Sequence, residues 1–222
     1  MKILPIQLIR LFMMATLSVF VLVACKRDAL PHNSTETKSG LITNSPSLEA
    51  NGSSPAAHIA ASETLTIPAT VSVPENLPGG NTRVATYYAV GVQKYKARIK
   101  AGSDPVSYEW VFVAPQADLY DITNEKVGNH AAGPFWTTSV FDSIFAQQFS
   151  PPRTAPGEDP ESIDWLLLLP KIGTAPTGIF EDVDYIQRIA TKGGKAPLTP
   201  PTSLTQTVDV KYKAVYRFTK IN

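Results

Sequence analysis

The sequence predicts an all-β fold, an antiparallel sandwich or partly closed barrel with at most short helices. Apolar and charged residues alternate through residues 208–218, as expected for a strand with one buried and one solvated face. Only Val215 breaks this alternation. Prolines recur throughout residues 65–222 and exclude long helices there. One domain of strands and short connections is therefore expected.

A long hairpin is predicted near the start of this domain. Residues 82–100 form its first strand and residues 106–112 the returning strand, with a Gly-Ser-Asp-Pro turn between them. The apolar positions of the first strand change parity between Tyr88 and Tyr95. Because a slip of one residue turns every side chain to the other face, we expect a bulge near residues 91–93.

Three further segments complete the expected secondary structure. Residues 165–169 are apolar throughout and precede a proline, which indicates a strand covered on both faces. Residues 183–191 predict another strand, which ends at Gly193 and Gly194. Residues 138–149 predict one or two helical turns, with an apolar stripe formed by Phe141, Ile144 and Phe145.

The N-terminus has the pattern of a secretory signal. Lys2 and Arg10 precede the uncharged residues 11–24, a run with the length of a signal-peptide core. An uncleaved transmembrane anchor would need about 20 apolar residues, and this run is shorter. Leu-Val-Ala followed by Cys25 resembles the lipobox of bacterial lipoproteins. We therefore expect a signal peptide at residues 1–24 and acylation of Cys25, palmitate being a typical chain.

The predicted location is the cell envelope, where the lipid would attach the protein to a membrane. The residue after Cys25 is Lys26. An aspartate at this position would resemble an inner-membrane retention signal, so the lysine favours the outer membrane. Cys25 is the only cysteine, so no disulfide, thiol nucleophile or cysteine metal site is expected elsewhere. Residues 25–64 have the composition of a flexible tether with a reach of about 35 Å, on which His32 and His58 are solvated. Residues 65–222 then form a single β domain.

The charge of the chain excludes one large class of partners. The sequence has 20 Lys and Arg against 19 Asp and Glu, and removal of residues 1–24 leaves 18 basic residues. A protein that binds nucleic acid through phosphate contacts carries a marked basic excess. No nucleic-acid partner is expected.

Several sequence segments of the domain resemble segments of the domain-of-unknown-function family 3455 and occur in the same order. They are residues 73–77 (VPENL), 91–95 (GVQKY), 110–121 (WVFVAPQADLYD), 128–136 (GNHAAGPFW), 165–168 (WLLL) and 185–191 (YIQRIAT), the last followed by Gly193 and Gly194. The resemblance implies a secreted or envelope protein. That family has no established activity, so the resemblance supplies no reaction.

His130 is the only histidine of the predicted domain and lies in a glycine-rich loop at residues 128–136. It could bond to backbone and hold the loop, contact a ligand, or act as a general base oriented by Asp118 or Asp121. Those carboxylates, or the acidic residues at 181–184, could also join it around a metal ion, but their spacing matches no known motif. We therefore expect no metal and no cofactor.

A candidate binding surface combines this loop with the predicted bulge and the strand at 183–191. Its amide, guanidinium and aromatic groups suit sugars, carboxylates or peptides, and they belong to Gln93, Tyr95, His130, Trp136, Gln187 and Arg188. Gln187 and Arg188 could instead pair with neighbouring strands. The sequence favours a non-enzymatic domain that binds a small ligand or an envelope protein. The alternative is an envelope hydrolase that uses His130 with Asp118 or Asp121.

Overall fold

The computed structural model describes residues 53–74 and 80–222. The predicted signal peptide, Cys25 and the tether up to residue 52 lie outside the described residues. Among those that are described, no helix is long and apolar enough to cross a membrane.

Eight antiparallel strands form one sheet that closes on itself as a barrel. The strands are β1 Asn81–Ile99, β2 Tyr108–Tyr120, β3 Lys126–Ala131, β4 Phe135–Thr137, β5 Ser143–Ala155, β6 Trp165–Pro170, β7 Tyr185–Gly193 and β8 Thr207–Ile221. Within the described ranges, one helix, α1 Pro55–Ser62, and one 3-10 turn, Gly178–Phe180, accompany them. The predicted all-β antiparallel class is confirmed. The barrel is fully closed, because β8 pairs along β1 from Asn81 to Lys96.

The order of the strands defines two ends of the barrel. Since each strand is antiparallel to the next, alternate connections lie at opposite ends. The upper end carries the connections at residues 100–107, 132–134, 156–164 and 194–206. The lower end carries those at residues 121–125, 138–142 and 171–184, together with the start of β1 and the end of β8.

Large side chains fill the lower half of the barrel interior. Phe180 of the 3-10 turn is fully buried, and its ring lies 4.8 Å from that of Phe218 and 6.5 Å from that of Tyr87, measured between centroids. Leu119 and Ile144 belong to the same cluster. This packing closes the lower end and leaves the free interior volume at the upper end.

A second apolar cluster lies on the outside of the barrel beneath residues 53–74. Ile59 and Val71 pack there against outward-facing strand residues, which are Tyr88, Ala155, Trp165, Leu167, Ile189 and Val215. This burial explains why Val215 interrupts the alternation in β8. It also explains the parity change in β1. Tyr88 lies on the outer face of the barrel and is buried in this second cluster, whereas Tyr87 lies on the inner face and is buried in the interior cluster.

The bulge predicted at residues 91–93 lies on the neighbouring strand instead. β1 pairs with β8 in regular register from Ala85 to Lys96. The β1–β2 register shifts between Lys94 and Tyr95, and the additional residue is Val113 of β2. The apolar pattern of β1 between Tyr88 and Tyr95 reflects burial on both faces and required no bulge there. The register shift of β1 against β8 lies earlier, between Arg83 and Ala85. The predicted β1–β2 hairpin is confirmed.

The packed domain begins before the predicted boundary at residue 65. Ser54 caps α1, with its hydroxyl accepting a hydrogen bond from the Ala57 amide, and Ile59 is buried. His58, predicted to be solvated, stacks on Tyr88 with 4.3 Å between ring centroids. An eight-residue helix that covers the sheet with one large apolar side chain is too short to produce a periodic signal.

The other predicted segments had mixed outcomes. The strands at residues 165–169 and 183–191 are confirmed as β6 and β7. The helical turns predicted at residues 138–149 are wrong, because β5 begins at Ser143 and Phe141 is 78 % exposed in the preceding loop. Ile144 and Phe145 alternate across β5, which is strand spacing.

Candidate functional site

A pocket of about 570 Å³ occupies the upper half of the barrel interior. Every strand contributes at least one side chain to its wall, in strand order Gln93, Phe112, His130, Trp136, Gln148, Leu168, Arg188 and Tyr216. The upper connections add Ala132, Gly133, Ile163, Asp164 and Lys195 around the mouth. The pocket is therefore the open end of the lumen, bounded by the whole sheet.

His130 and Trp136 form one wall of this pocket. The predicted loop at residues 128–136 is the β3–β4 hairpin, in which these two residues are direct register partners. The imidazole stacks on the indole and also contacts the ring of Tyr216, with 4.9 Å between centroids. The glycines of this segment indicated a loop, but Gly128 lies in strand β3. The close approach of β4 requires a glycine there, because a Cβ atom would lie 2.1 Å from the Thr137 carbonyl oxygen.

The imidazole of His130 is held in a neutral state. Burial lowers its pKa to about 3, the hydrogen bond to the Phe135 carbonyl opposes this effect, and the charge of Arg188 adds to it. Nδ1 lies 2.9 Å from the Phe135 oxygen, and a carbonyl can only accept, so Nδ1 carries the proton. Nε2 therefore bears a lone pair. The backbone contact is the one expected of a histidine that fixes its loop.

Neither carboxylate proposed as a catalytic partner is directed toward His130. Ala117 is the register partner of His130, so the adjacent Asp118 faces outward, where it pairs with Lys126 at 2.8 Å. Asp121 accepts hydrogen bonds from the amides of Thr123 and Glu125 and organises the β2–β3 turn. Among the described residues, no group of three or more His, Cys, Asp or Glu could hold a metal ion.

Arg188 provides the positive charge inside the pocket. Its Nε and Nη2 donate to the Asp164 carbonyl at 3.1 and 2.7 Å, which fixes the guanidinium against the β5–β6 connection. Its register partners are Leu166 and Tyr216, both in the pocket wall. Within residues 53–74 and 80–222 it forms no ion pair with a carboxylate.

Gln93 and Tyr95 contribute the part of the wall that β1 forms. Gln93 is 2 % exposed. The Tyr95 hydroxyl donates to the Gly194 carbonyl at 2.6 Å and joins β1 to the β7–β8 connection. These two residues thus reach the pocket as predicted, although the bulge beside them belongs to β2.

Gln187 is the one predicted binding residue that the structure places elsewhere. It alternates with Arg188 along β7 and therefore faces outward. Its amide nitrogen donates to the Val71 carbonyl at 2.7 Å, beside a separate cavity of about 350 Å³ next to residues 67–73. The structure brings the other five predicted residues together at one pocket.

Two buried donors of the pocket wall, Nε2 of Gln93 and Nε1 of Trp136, have no hydrogen-bond partner among the described residues. The Tyr216 hydroxyl makes no hydrogen bond of standard geometry there, but it interacts with the side chains of Arg188 and Tyr212. Burial raises the pKa of Tyr216, so its hydroxyl is neutral and able to donate. Tyr216 was missed as a site residue, although its inward parity in β8 was evident in the sequence.

Comparison with known proteins identifies one family. The model of the family described as "Protein of unknown function (DUF3455)" matches residues 78–220, which span the barrel. No curated protein and no solved structure matches the chain.

Proposed function

Because this chain belongs to the DUF3455 family, a family of unknown function, we propose from its pocket that it is a non-enzymatic cell-envelope domain that binds a small ligand in the barrel lumen. One observation carries this proposal. All eight strands line one pocket of about 570 Å³, in which two buried donors lack partners within the part of the chain that the structure describes. Concave sites of this size with a few convergent polar groups are typical of small-molecule binding.

The chemistry of His130 supports binding over hydrolysis. A general base in a hydrolase needs a pKa near the working pH and a partner that orients it. The pKa of His130 is about 3, and its Nδ1 bonds to a backbone carbonyl. Asp118 and Asp121 make contacts elsewhere. These contacts disfavour the hydrolase that the sequence left open.

The envelope location is the second part of the proposal. The Ala56 amide donates to Asn124 Oδ1 at 2.9 Å, so the chain joins the barrel at its lower end, opposite the pocket mouth. The sequence that ends at Cys25 resembles a lipobox, and this resemblance supports lipid anchoring. Cys25→Ser is expected to abolish incorporation of labelled palmitate and to release the protein from the membrane fraction. Equal membrane retention of this variant would contradict lipid anchoring.

Binding in the lumen is tested with 1-anilinonaphthalene-8-sulfonate, a fluorescent probe with an apolar body. Ala132→Trp places a bulky side chain at the pocket mouth, and Val140→Trp places it on the exposed lower end. We expect saturable binding by the unsubstituted chain, a loss of about tenfold or more in Ala132→Trp, and no change in Val140→Trp. Absence of saturable binding, or an equal loss in both variants, would refute a lumen site.

A further inference from the structure

We infer that the ligand of this pocket is an amphiphilic acid, with an oxyanion head bound at Arg188 and an apolar body that extends toward Phe112 at the mouth. This inference rests on the proposed lumen site and adds the chemical class of its ligand. Three observations support the inference: the charge of Arg188, the hydrogen-bond donors of the pocket wall, and the exposed apolar residues at the opening.

Arg188 retains hydrogen-bond donors for an anion, although its side chain also interacts with the Tyr216 hydroxyl. Nε and Nη2 are occupied by the Asp164 carbonyl, while Nη1 and the second Nη2 hydrogen point away from that bond. A planar guanidinium binds a carboxylate or a related oxyanion through two parallel hydrogen bonds. Because a backbone carbonyl already orients the side chain, little further ordering is needed when an anion binds.

The charge of Arg188 acts on several groups that line or adjoin the pocket. Burial is the main influence on the pKa values of His130, Tyr95, Tyr212 and Tyr216: it raises those of the tyrosines, which Arg188 opposes, and lowers that of His130, to which Arg188 adds. The other charged side chains of the pocket wall lie at the mouth, where Lys195 and the carboxylate of Asp164 are both exposed. Arg188 is therefore the net charge that a ligand in the pocket meets, since the two exposed charges at the mouth offset each other.

Buried polar groups of the pocket wall also favour an acceptor. Indole Nε1 of Trp136 and amide Nε2 of Gln93 can only donate, and both lack a partner among the described residues. Both residues are at most 2 % exposed. Buried donors without partners are costly, and the oxygens of an anionic head can accept from them. The pocket wall thus combines donors with a cation, which is the complement of an oxyanion.

The mouth of the pocket is apolar and exposed. Phe112 is 53 % exposed and Val113 is 51 % exposed, at the point where the extra residue of β2 interrupts the pairing. The ring of Phe112 meets that of Tyr95 edge-on, 5.8 Å away between centroids. Leu166 and Leu168 continue this surface inward from the opposite side of the barrel. An apolar body lying here would cover these side chains while its head reached Arg188.

Matched acids and alcohols test the inference. The probes are octanoate against octan-1-ol and 2-naphthoate against 2-naphthol, titrated calorimetrically into the full chain carrying Cys25→Ser, which removes the acyl acceptor and leaves the domain unchanged. At least one acid is expected to bind tenfold or more tightly than its alcohol. The two pairs distinguish an alkyl body from an aromatic one.

Variants assign the effect to Arg188. Arg188→Gln should remove the preference for the acid and Arg188→Lys should retain part of it, whereas Lys211→Gln, on the exposed outer face of β8, should leave it unchanged. Equal binding of acid and alcohol to the chain with native Arg188 would overturn the inference and leave the lumen site standing. If no acid or alcohol binds and the sulfonate probe also fails, both proposals fall. If only the sulfonate binds, and it binds Arg188→Gln as tightly as the chain with native Arg188, the inference fails and the lumen site stands.

Discussion

His130 and Trp136 face each other across the β3–β4 hairpin, with ring centroids 4.4 Å apart and ring planes 12° from parallel. The Nδ1 proton of His130 is donated to the Phe135 carbonyl, the residue beside Trp136. The imidazole therefore holds two points of the partner strand at once. Tyr216 of β8 contacts both rings, so this stack also connects the hairpin to the far side of the lumen.

Stability should depend on pH through His130. Its pKa is near 6.5 in the unfolded chain and about 3 in the fold, where burial excludes the charged form. Between these values the unfolded state binds more protons, so stability rises with pH in this window and is level above it. The expected loss between pH 7 and pH 5 is about 2 kcal/mol. Urea unfolding at the two pH values measures it.

The contribution of His130 can be separated from that of His58. Burial, followed by the charge of Lys213, lowers the pKa of His58 as well, but this side chain is only half-buried. His130→Gln should remove most of the pH dependence between pH 7 and 5, since its amide can still donate to the Phe135 carbonyl. His58→Gln should leave most of it. An unchanged slope in His130→Gln would refute the assignment.

Gly128→Ala is expected to destabilise the pocket wall severely. The added Cβ would lie 2.1 Å from the Thr137 oxygen, so β3 and β4 must separate and displace Trp136. We expect a loss of more than about 2 kcal/mol in the free energy of unfolding, from overpacking against backbone. Thermal unfolding and near-ultraviolet circular dichroism of the tryptophans measure both effects.

Gly102→Ala is the matched control for this substitution. Gly102 has a φ of 72°, but a Cβ atom there meets nothing within 4 Å. Its cost should be the conformational penalty alone, about 1–2 kcal/mol, without a tryptophan signal change. If the two variants lose equal stability and leave the tryptophan spectrum intact, close strand approach at Gly128 is not limiting.

The sequence predicted the strands well where one face is buried and the other solvated. β8 shows this pattern, and its inward residues Tyr212 and Tyr216 are in the core. The pattern misled where both faces are buried. Tyr88 is covered from outside by residues far away in the chain, and its parity was mistaken for a bulge. Local alternation carries no information about which segment covers the outer face.

The candidate site was predicted from residue types, and the structure explains its one exception. Gln187 and Arg188 are adjacent in a strand, so only one of them can face the lumen. Which one does so depends on register with β6 and β8, a long-range property that spacing does not reveal. The burial of His130 could not be predicted from the sequence either, because the glycines around it suggested an exposed loop.

Ile59→Ala should test whether α1 is part of the folded domain. Ile59 is 5 % exposed and packs on the outer face of the sheet with Tyr88 and Trp165. Truncation leaves a cavity there, with an expected loss of about 2–4 kcal/mol. Val140→Ala, at a side chain that is 91 % exposed, should change stability by less than about 0.5 kcal/mol. Equal, small effects in urea unfolding would mean that α1 does not pack in solution.

Glu63→Gln should loosen the contact between α1 and the barrel. Glu63 follows α1 and pairs with Arg83 at 2.8 Å and with Arg217 at 3.2 Å. Burial alone would raise the pKa of Glu63, but the two guanidinium groups lower it on balance. Arg217 has only 6 % of its side chain exposed, so it would remain buried without a carboxylate. Because Glu63 itself is 49 % exposed, the expected loss is about 1–2 kcal/mol.

Glu109→Gln provides the comparison for this ion pair. Glu109 bonds to Arg98 at 2.6 Å, with 63 % of the arginine side chain exposed. Water solvates that guanidinium once its partner is neutral, so the loss should stay below about 0.5 kcal/mol. Unfolding in urea at low and high salt distinguishes the two pairs, since salt screens the exposed one more strongly. If Glu63→Gln is as mild as Glu109→Gln, the contact with α1 depends on Ile59 and Val71 packing and not on the buried charge.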